Sequence, residues 1–398
     1  MKKTFDMGLL AIVFLFLSFQ LSAQKIETVD GVRIVHNEKI GQWGTDPRVH
    51  LQLVQTIGDL NTEDENLAFN SPRDVALDSA GNIYVLDAAN QRIQKFSPEG
   101  KYLSTFGRKG QGPGEFNYPS SLDVDSQGNM CVLDSFVKKI QILTPQGKEQ
   151  KTILIPKDQL FKTRYMESGL FAAGAYPMLA RAGEGQKRGS EAFRLVKLID
   201  HTGNAQKEFG FLHDYGDSMT NYYGNIFQFD IDSEDNVFLS FVSQNRVEKY
   251  SPDGRLLWKA DRPLNYRTGV VERAKMESSG RGVSTQAPKM NTVSAGISID
   301  GEGRAWVVTL DRQIREEEQV YTMMVGGSGG ISKVETKGNR ELQKTDMYKL
   351  EIFSPDGILL GSLPLDHFVD VIRIVKDHLF LIDSGHGAKV YHYKIIEK

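Results

Sequence analysis

Residues Phe69 to Phe116 read FNSPRDVALDSAGNIYVLDAANQRIQKFSPEGKYLSTFGRKGQGPGEF, and their pattern decides the fold. Four short runs alternate apolar and polar residues: Arg73 to Leu77, Asn82 to Leu86, Arg92 to Phe96 and Tyr102 to Phe106. Turn-forming clusters separate them, at Asp78 to Asn82, Asp87 to Asn90 and Ser97 to Gly100. Runs rich in Val, Ile, Leu, Tyr and Phe, bounded by Gly, Asn, Asp and Pro, predict a four-stranded antiparallel meander. Such a sheet cannot bury both faces alone, so it requires neighbours of its own kind.

The neighbours are in the sequence. Asp78 recurs as Asp125, a spacing of 125 − 78 = 47, and Gly81-Asn82, Val85-Leu86-Asp87, Ile93-Gln94 and Gly100 recur at that spacing. Their matches are Gly128-Asn129, Val132-Leu133-Asp134, Ile140-Gln141 and Gly147. Identity this dense at one period marks a repeat architecture. A third, degraded unit runs from Leu160 through the turn Asp200 to Gly203, and a fourth carries Asp232 to Asn236 and Val247 to Gly254. A fifth has Asp300 to Arg304 and Ala305 to Val308, then jumps to Tyr348. The sixth has three runs only, Val369 to Val375, His378 to Asp383 and Ala388 to Ile396. Its missing strand is the orphan His50 to Ile57, whose Thr56-Ile57-Gly58 matches Thr105-Phe106-Gly107. Pairing that strand into the last unit closes the ring and removes the exposed sheet edges. The expected fold is all-β: a six-bladed β-propeller over 50–398, with blades at about 69–106, 116–155, 160–211, 223–264, 291–364 and 367–398 plus 50–57. Residues 24–49 read as an extended lead-in.

The chain has 398 residues with formal net charge −3. That near-neutral balance gives no electrostatic case for nucleic acid or an anionic membrane surface. Lys2 and Lys3 precede an apolar run, Gly8 to Leu21, and Ser22-Ala23 follows. This pattern predicts a signal peptide over 1–23, cleaved after Ala23, and an exported, periplasmic or extracellular product. No Cys follows the run, so no lipid anchor is expected, nor a transmembrane span in the mature chain. Cys131 is the only cysteine, so no intrachain disulfide can form. It stands between Met130 and Val132 and reads as a buried thiol rather than a nucleophile.

Pro72 to Asp78, Gly81 to Asp87 and Asn90 to Phe96 resemble the repeats of NHL-type six-bladed propellers. Val32 to Asn37, Thr56 to Gly58 and Gly107 to Phe116 are similar to hallmarks of a secreted or lipid-anchored propeller family abundant in Bacteroidetes. The chain departs from lipid-anchored relatives in lacking their acylated Cys. The resemblance implies an exported propeller and no particular reaction.

Strand directions alternate, so turns fall on two faces. First-to-second and third-to-fourth turns are uniformly tight. The long connections, Gly174 to Ala192, Leu212 to Gly224, Asn265 to Asn291 and Leu310 to Met347, all belong to the other face. Loops on a rigid scaffold carry function, which makes this the expected binding face. Residues near the starts of the innermost strands should line its central mouth: Asn70, Arg73, Asn117, Tyr118, Lys162, Arg164, Tyr223 and Asn225. That mixture suits a polar small molecule, glycan or peptide; the plainer role for the Asn residues is satisfying strand-end amides. His386 in Asp383-Ser-Gly-His-Gly387 lies on the same face and is the histidine singled out there.

Catalytic and metal motifs are weak. Asp87, Asp134 and Asp383 each end a second strand and read as braces for the following turn. Asp230, Asp232 and Asp235 lack the Gly and closing Glu of a Ca²⁺ loop. Gly326 to Gly330 matches Gly-x-Ser-x-Gly but lies in a polar insertion, without the strand-turn-helix setting that motif needs. No metal or other cofactor is expected. The leading expectation is a non-catalytic binding or interaction propeller whose partner is an unidentified polar ligand or envelope protein. The alternative, by fold analogy, is a lyase or lactonase type of enzyme with Ca²⁺ or Zn²⁺ in the central channel.

Overall fold

A computed structural model describes residues 24–177, 193–279, 282–327 and 330–398; the expected signal peptide and most of the 174–192 insertion lie outside them. The chain forms a six-bladed β-propeller. Blade 1 consists of Pro72–Leu77, Ile83–Asp87, Arg92–Phe96 and Tyr102–Phe106, in that order from the axis outward. The inner strands of the other blades are Pro119–Val124, Leu160–Tyr165, Phe227–Ile231, Ser294–Ile299 and Val371–Val375. Core side chains fill the wedges between blades. Tyr84, Leu86 and Ile93 of blade 1, for example, meet Leu122, Met130 and Val132 of blade 2.

The tight turns repeat one device. Asp78 Oδ1 accepts the amides of Ala80 and Asn82, and Gly81 adopts φ +82°, a left-handed conformation that favours glycine. Asp125, Asp200, Asp232 and Asp300 accept turn amides in the same way.

The ring closes as the orphan strand predicts. Val49–Ile57 pairs antiparallel with Lys389–Glu397, from Val49 opposite Glu397 to Ile57 opposite Val390. The lead-in has more structure than its sequence suggests. Lys25–Val29 and Val32–His36 form a hairpin, and Val32–His36 lies parallel against the outer strand of blade 4, Leu256–Asp261. That sheet therefore has six strands. Val35 is buried against Phe238, Val247 and Trp258. Asn37 then donates to the carbonyls of Asp261 and Gly357, and the Trp43 amide donates to the Leu360 carbonyl of blade 5. Residues 32–48 thus cross the rims of blades 4 and 5 before entering blade 6.

Two histidines sit at the closure. His378 Nδ1 and His392 Nε2 are 2.7 Å apart, and Gln55 of the closing strand donates to His392 Nδ1 at 3.2 Å and to the Pro98 carbonyl of blade 1 at 2.8 Å. Burial, then the neighbouring His378, lowers His392 to about 4; Asp377 opposes this. The folded value lies below the ordinary histidine value, so the unfolded chain takes the proton first. This contribution is complete above about pH 6.5 and is lost as pH falls toward 4. The expected loss is on the order of 2 kcal/mol after allowance for solvent screening. Urea midpoints of the wild type and His392→Gln at pH 7 and pH 4.5 check it. An equally steep fall in both proteins would remove the assignment.

Candidate functional site

The central channel is crossed by charge. Arg164, fully buried on the inner strand of blade 3, donates to both oxygens of Asp74 in blade 1, at 2.8 and 3.1 Å. Its Nε donates to Asp230 of blade 4 at 3.2 Å. Arg373 of blade 6 donates to the same Asp230 oxygen and to Asp123 of blade 2, both at 2.8 Å. These two guanidiniums tie five of the six blades together across the axis. Burial alone would raise Asp74 and Asp230; the charges of Arg164, Arg373 and Lys162 overcome it and hold both carboxyls below the usual range.

The carboxylates also bind backbone of the next blade. Asp74 accepts the Leu122 amide at 3.0 Å, and Asp123 accepts that of Tyr165 at 2.9 Å. Asp230 accepts the Ser298 hydroxyl at 2.5 Å, while Ser298 accepts the Ile374 amide at 2.8 Å. Each oxygen of Asp74 and Asp230 thus holds two donors, and Asp123, with one donor on each oxygen, is left as the lone carboxylate with lone pairs to spare. The channel carboxylates do not fit a Ca²⁺ or Zn²⁺ site. Among the described residues no group of three or more His, Cys, Asp or Glu is placed to hold a metal ion.

On the long-loop side of this barrier lies the mouth. Arg73, at a bulge where its strand meets the mouth, sets its guanidinium 5.7 Å from the ring centre of Tyr118. Among the described residues its side chain makes one hydrogen bond, from Nε to Ser71 Oγ at 3.3 Å. Tyr176, raised to about 12 by burial and then by Tyr118, also feels the charges of Arg73 and Tyr222. Its ring lies 5.2 Å from Phe161, which meets Phe227 and Phe229 of blade 4. Gly174 makes this packing possible, because a Cβ there would stand 2.6 Å from Phe161 and 2.9 Å from Phe229. A helix over Ser218–Gly224, α1, is N-capped by Asp217, which accepts the Thr220 amide at 2.8 Å. It brings Tyr222 and Tyr223 to this face, with ring centres 5.1 Å apart.

The nine residues named from sequence fall into distinct settings. Arg73 and Tyr118 come together as described, and Tyr223 is exposed at the helix end. Lys162 sits two residues toward the mouth from Arg164, buried, with its ammonium 5.4 Å from the Phe229 ring centre. Arg164 is committed to the barrier below. The Asn70 and Asn117 amides donate to Asp87 and Asp134, at 2.8 and 2.6 Å. Asn225 is fully buried: its carbonyl oxygen accepts the His213 amide, and its NH₂ donates to the His213 and Asn221 carbonyls. His386 is buried too, stacked on Phe368 at 3.5 Å, with Nε2 3.0 Å from the Glu318 carbonyl. It links blade 6 to the 311–347 insertion.

The three strand-ending aspartates brace their turns. Asp87 accepts from Asn70, Asn90 and Arg92, Asp134 from Asn117 and Tyr118, and Asp383 from His386 and Gly387. Burial and then the charge of Asp370 raise Asp383 to about 7. A cavity of about 250 Å³ opens on the same face over blades 4 to 6, lined by Thr292, Ser294, Met347, Tyr348 and Asp370 among others. The Gly-rich run joins the hairpin strands Val320–Gly327 and Gly330–Gly338, with Ser328 and Gly329 outside the described residues. Sequence reasoning did not single out Tyr176 or Tyr222. Their signal was an aromatic residue opening one long connection and closing the next.

Comparison with known proteins agrees with this architecture. A family model described as 6-bladed beta-propeller matches residues 25–144. No curated protein matches the chain. Among solved structures, a member of the DUF4221 family from Bacteroides vulgatus aligns with TM-score 0.56 at 10% identity, covering 88% of this chain and 99% of that one. A Bacteroides fragilis protein described as exported aligns with TM-score 0.53 at 10% identity, covering 92% and 99%. Virginiamycin B lyase from Staphylococcus aureus aligns at 10% identity over 87% of this chain and 100% of its own, with TM-score 0.45. What the chain shares with these Bacteroides proteins is the six-bladed β-propeller fold.

Proposed function

We propose that this chain is an exported, non-catalytic propeller that binds a polar small molecule, glycan or partner protein at the mouth of its long-loop face. The observation that carries the reading is the pairing of Arg73, a guanidinium without a carboxylate partner among the described residues, with the Tyr118 ring, beside Tyr176 and Tyr222. A cation and half-buried rings converging over a rigid scaffold are the elements of a recognition site. The lone pairs of Asp74 and Asp230, by contrast, are taken up by arginine, hydroxyl and amide donors, which disfavours acid–base chemistry on those two carboxylates.

No helix among the described residues is long and apolar enough to cross a membrane. One structural neighbour, from Bacteroides fragilis, is described as exported, which supports the export reading. Glycan-array and envelope-extract binding of the mature chain, repeated with Arg73→Ala, Tyr118→Ala and Tyr223→Ala, tests the placement. Each of the first two is expected to weaken binding at least tenfold, or about 1.4 kcal/mol. Full affinity in all three variants would remove the site from the mouth.

A further inference from the structure

Lys162 stands on the mouth side of the channel network, in which, among the described residues, the Nε of Arg373 is also left without a partner. The side chain is buried at 8% exposure, yet among the described residues its ammonium makes neither a hydrogen bond nor a salt bridge. Four charged groups act on it: Arg164 from its own strand, Asp74 from blade 1, Asp230 from blade 4 and Arg373 from blade 6. The two carboxylates could serve as acceptors, but Arg164, Arg373, Ser298 and the Leu122 amide already take their lone pairs. A buried ammonium with no acceptor is an unfavourable arrangement for the folded chain alone. Nor is the nitrogen sealed off. The side-chain atoms that are both enclosed and unpartnered belong to Arg33, Thr220, Arg246, Arg340 and Arg373, not to Lys162.

Resting on the mouth reading above, we infer that Lys162 and Arg73 receive the carboxylate of a small organic acid whose ring-shaped body lies on Tyr118, Tyr176 and Tyr222. A single negative charge suits the place. The barrier below sets three carboxylates against two guanidiniums, a surplus of one negative charge that Lys162 offsets, so Arg73 is left as the one net cation and a single carboxylate matches it. Charge-assisted hydrogen bonds from an ammonium and a guanidinium would fix the acid end, and the rings would select a flat or cyclic body.

The arrangement carries a proton signature. Burial first, and the charge of Arg164 second, lower Lys162 to about 7. A carboxylate against the ammonium favours its charged form, so binding draws in a proton. The site is about 90% charged at pH 6 and about 10% at pH 8, which predicts roughly tenfold tighter binding at pH 6.

Calorimetric titration of the mature chain with galacturonate and with benzoate, at pH 6, 7 and 8 in buffers of different ionisation enthalpy, tests this. The two probes separate a sugar acid from an aromatic one as the source of the carboxylate. The expected result is binding of at least one probe, near tenfold tighter at pH 6 than at pH 8, with net proton uptake at pH 7. Lys162→Met should weaken binding at pH 6 and abolish the proton uptake. It removes an unpaired buried charge, so its thermal midpoint should be no lower than wild type. Lys162→Arg, charged throughout, should bind equally at pH 6 and pH 8. No binding of either probe at 10 mM, or binding whose pH dependence survives in Lys162→Met, overturns the inference. Binding that Arg73→Ala and Tyr118→Ala abolish but Lys162→Met leaves unchanged would overturn it while sparing the mouth reading.

Discussion

Arg164→Ala is expected to cost about 3–5 kcal/mol of unfolding free energy, the range for removing one member of a buried charge network. The truncation strands Asp74 and Asp230 in a site shaped for a guanidinium that binds both. Arg373 still engages Asp230, whereas Asp74 keeps only the Val75 and Leu122 amides and the more distant charges of Lys162 and Arg373, so Asp74 should bear most of the cost. The sign with pH follows. Asp74 is held below its ordinary value in the wild type, and its contribution is present above about pH 4 and lost as pH falls through the folded value. Without Arg164, burial acts unopposed and the carboxyl shifts upward, so the variant should be least stable at neutral pH and recover on mild acidification. Urea unfolding at pH 5 and pH 7.5 reads both effects. Arg164→Met combined with Asp74→Leu should recover much of the loss, because apolar residues of similar volume can replace a buried pair. A single variant within 1 kcal/mol of wild type would show that the network is not what holds the blades at the axis.

Removing residues 24–57 should abolish the folded monomer. The deletion takes away the closing strand and with it two buried side chains, Val49 and Ile57, each packed into a core cluster. It also leaves Lys389–Glu397 as a bare edge beside the Arg304 to Glu397 contact. An exposed edge of that length is a template for pairing with another chain. The expected product is an aggregate or a domain-swapped oligomer on size exclusion, because the lost pairing approaches the whole stability of a domain, about 5–15 kcal/mol. A shorter deletion, residues 24–36, removes the blade 4 hairpin but not the closure. It should leave a monomer that unfolds cooperatively at a lower midpoint. If the longer deletion also gives such a monomer, closure by the N-terminal strand is not required.

Most of the architecture was written in local pattern, and the reason is physical. An Asp that accepts its own turn amides, as at Asp78 and Asp125, works within five residues, so its spacing survives wherever the turn does. The brace Asp87-x-x-Asn90-x-Arg92 was legible on the same ground. The barrier was not. Asp74, Asp123, Arg164, Asp230 and Arg373 come from five blades; Asp123, Arg164 and Asp230 share the penultimate position of their inner strands, but the residue type changes there and Asp74 and Arg373 sit at other positions, so the repeat does not announce them as a set. Only their convergence on the axis gives them a common role. Arg164 read from sequence as a mouth residue, but it is the penultimate residue of Leu160–Tyr165 and so stands toward the tight-turn end of the channel, which strand boundaries misjudged by a few residues conceal. The hairpin over residues 25–36 was equally opaque, since its partner Leu256–Asp261 lies more than 200 residues away. In the candidate site, Arg73 and Tyr118 followed from their place at strand starts. Tyr176 and Tyr222 belong to long connections whose course the repeat does not set.

The closure pairs Val49 with Glu397, a separation of 397 − 49 = 348 residues. A contact that distant in sequence cannot form until the final strand has been synthesised and has found its neighbours. Throughout that interval the early strand must wait without its partner, while blades 1 to 5 can each assemble from adjacent hairpins. Long loop closure slows folding, and waiting strands are vulnerable to mispairing. The band of residues 32–48 along blades 4 and 5 shortens the search, because once those blades exist it holds the waiting strand beside the place where blade 6 will arrive. In kinetic terms the outer hairpin is a tether: it converts the last step of folding from a whole-chain encounter into a local one.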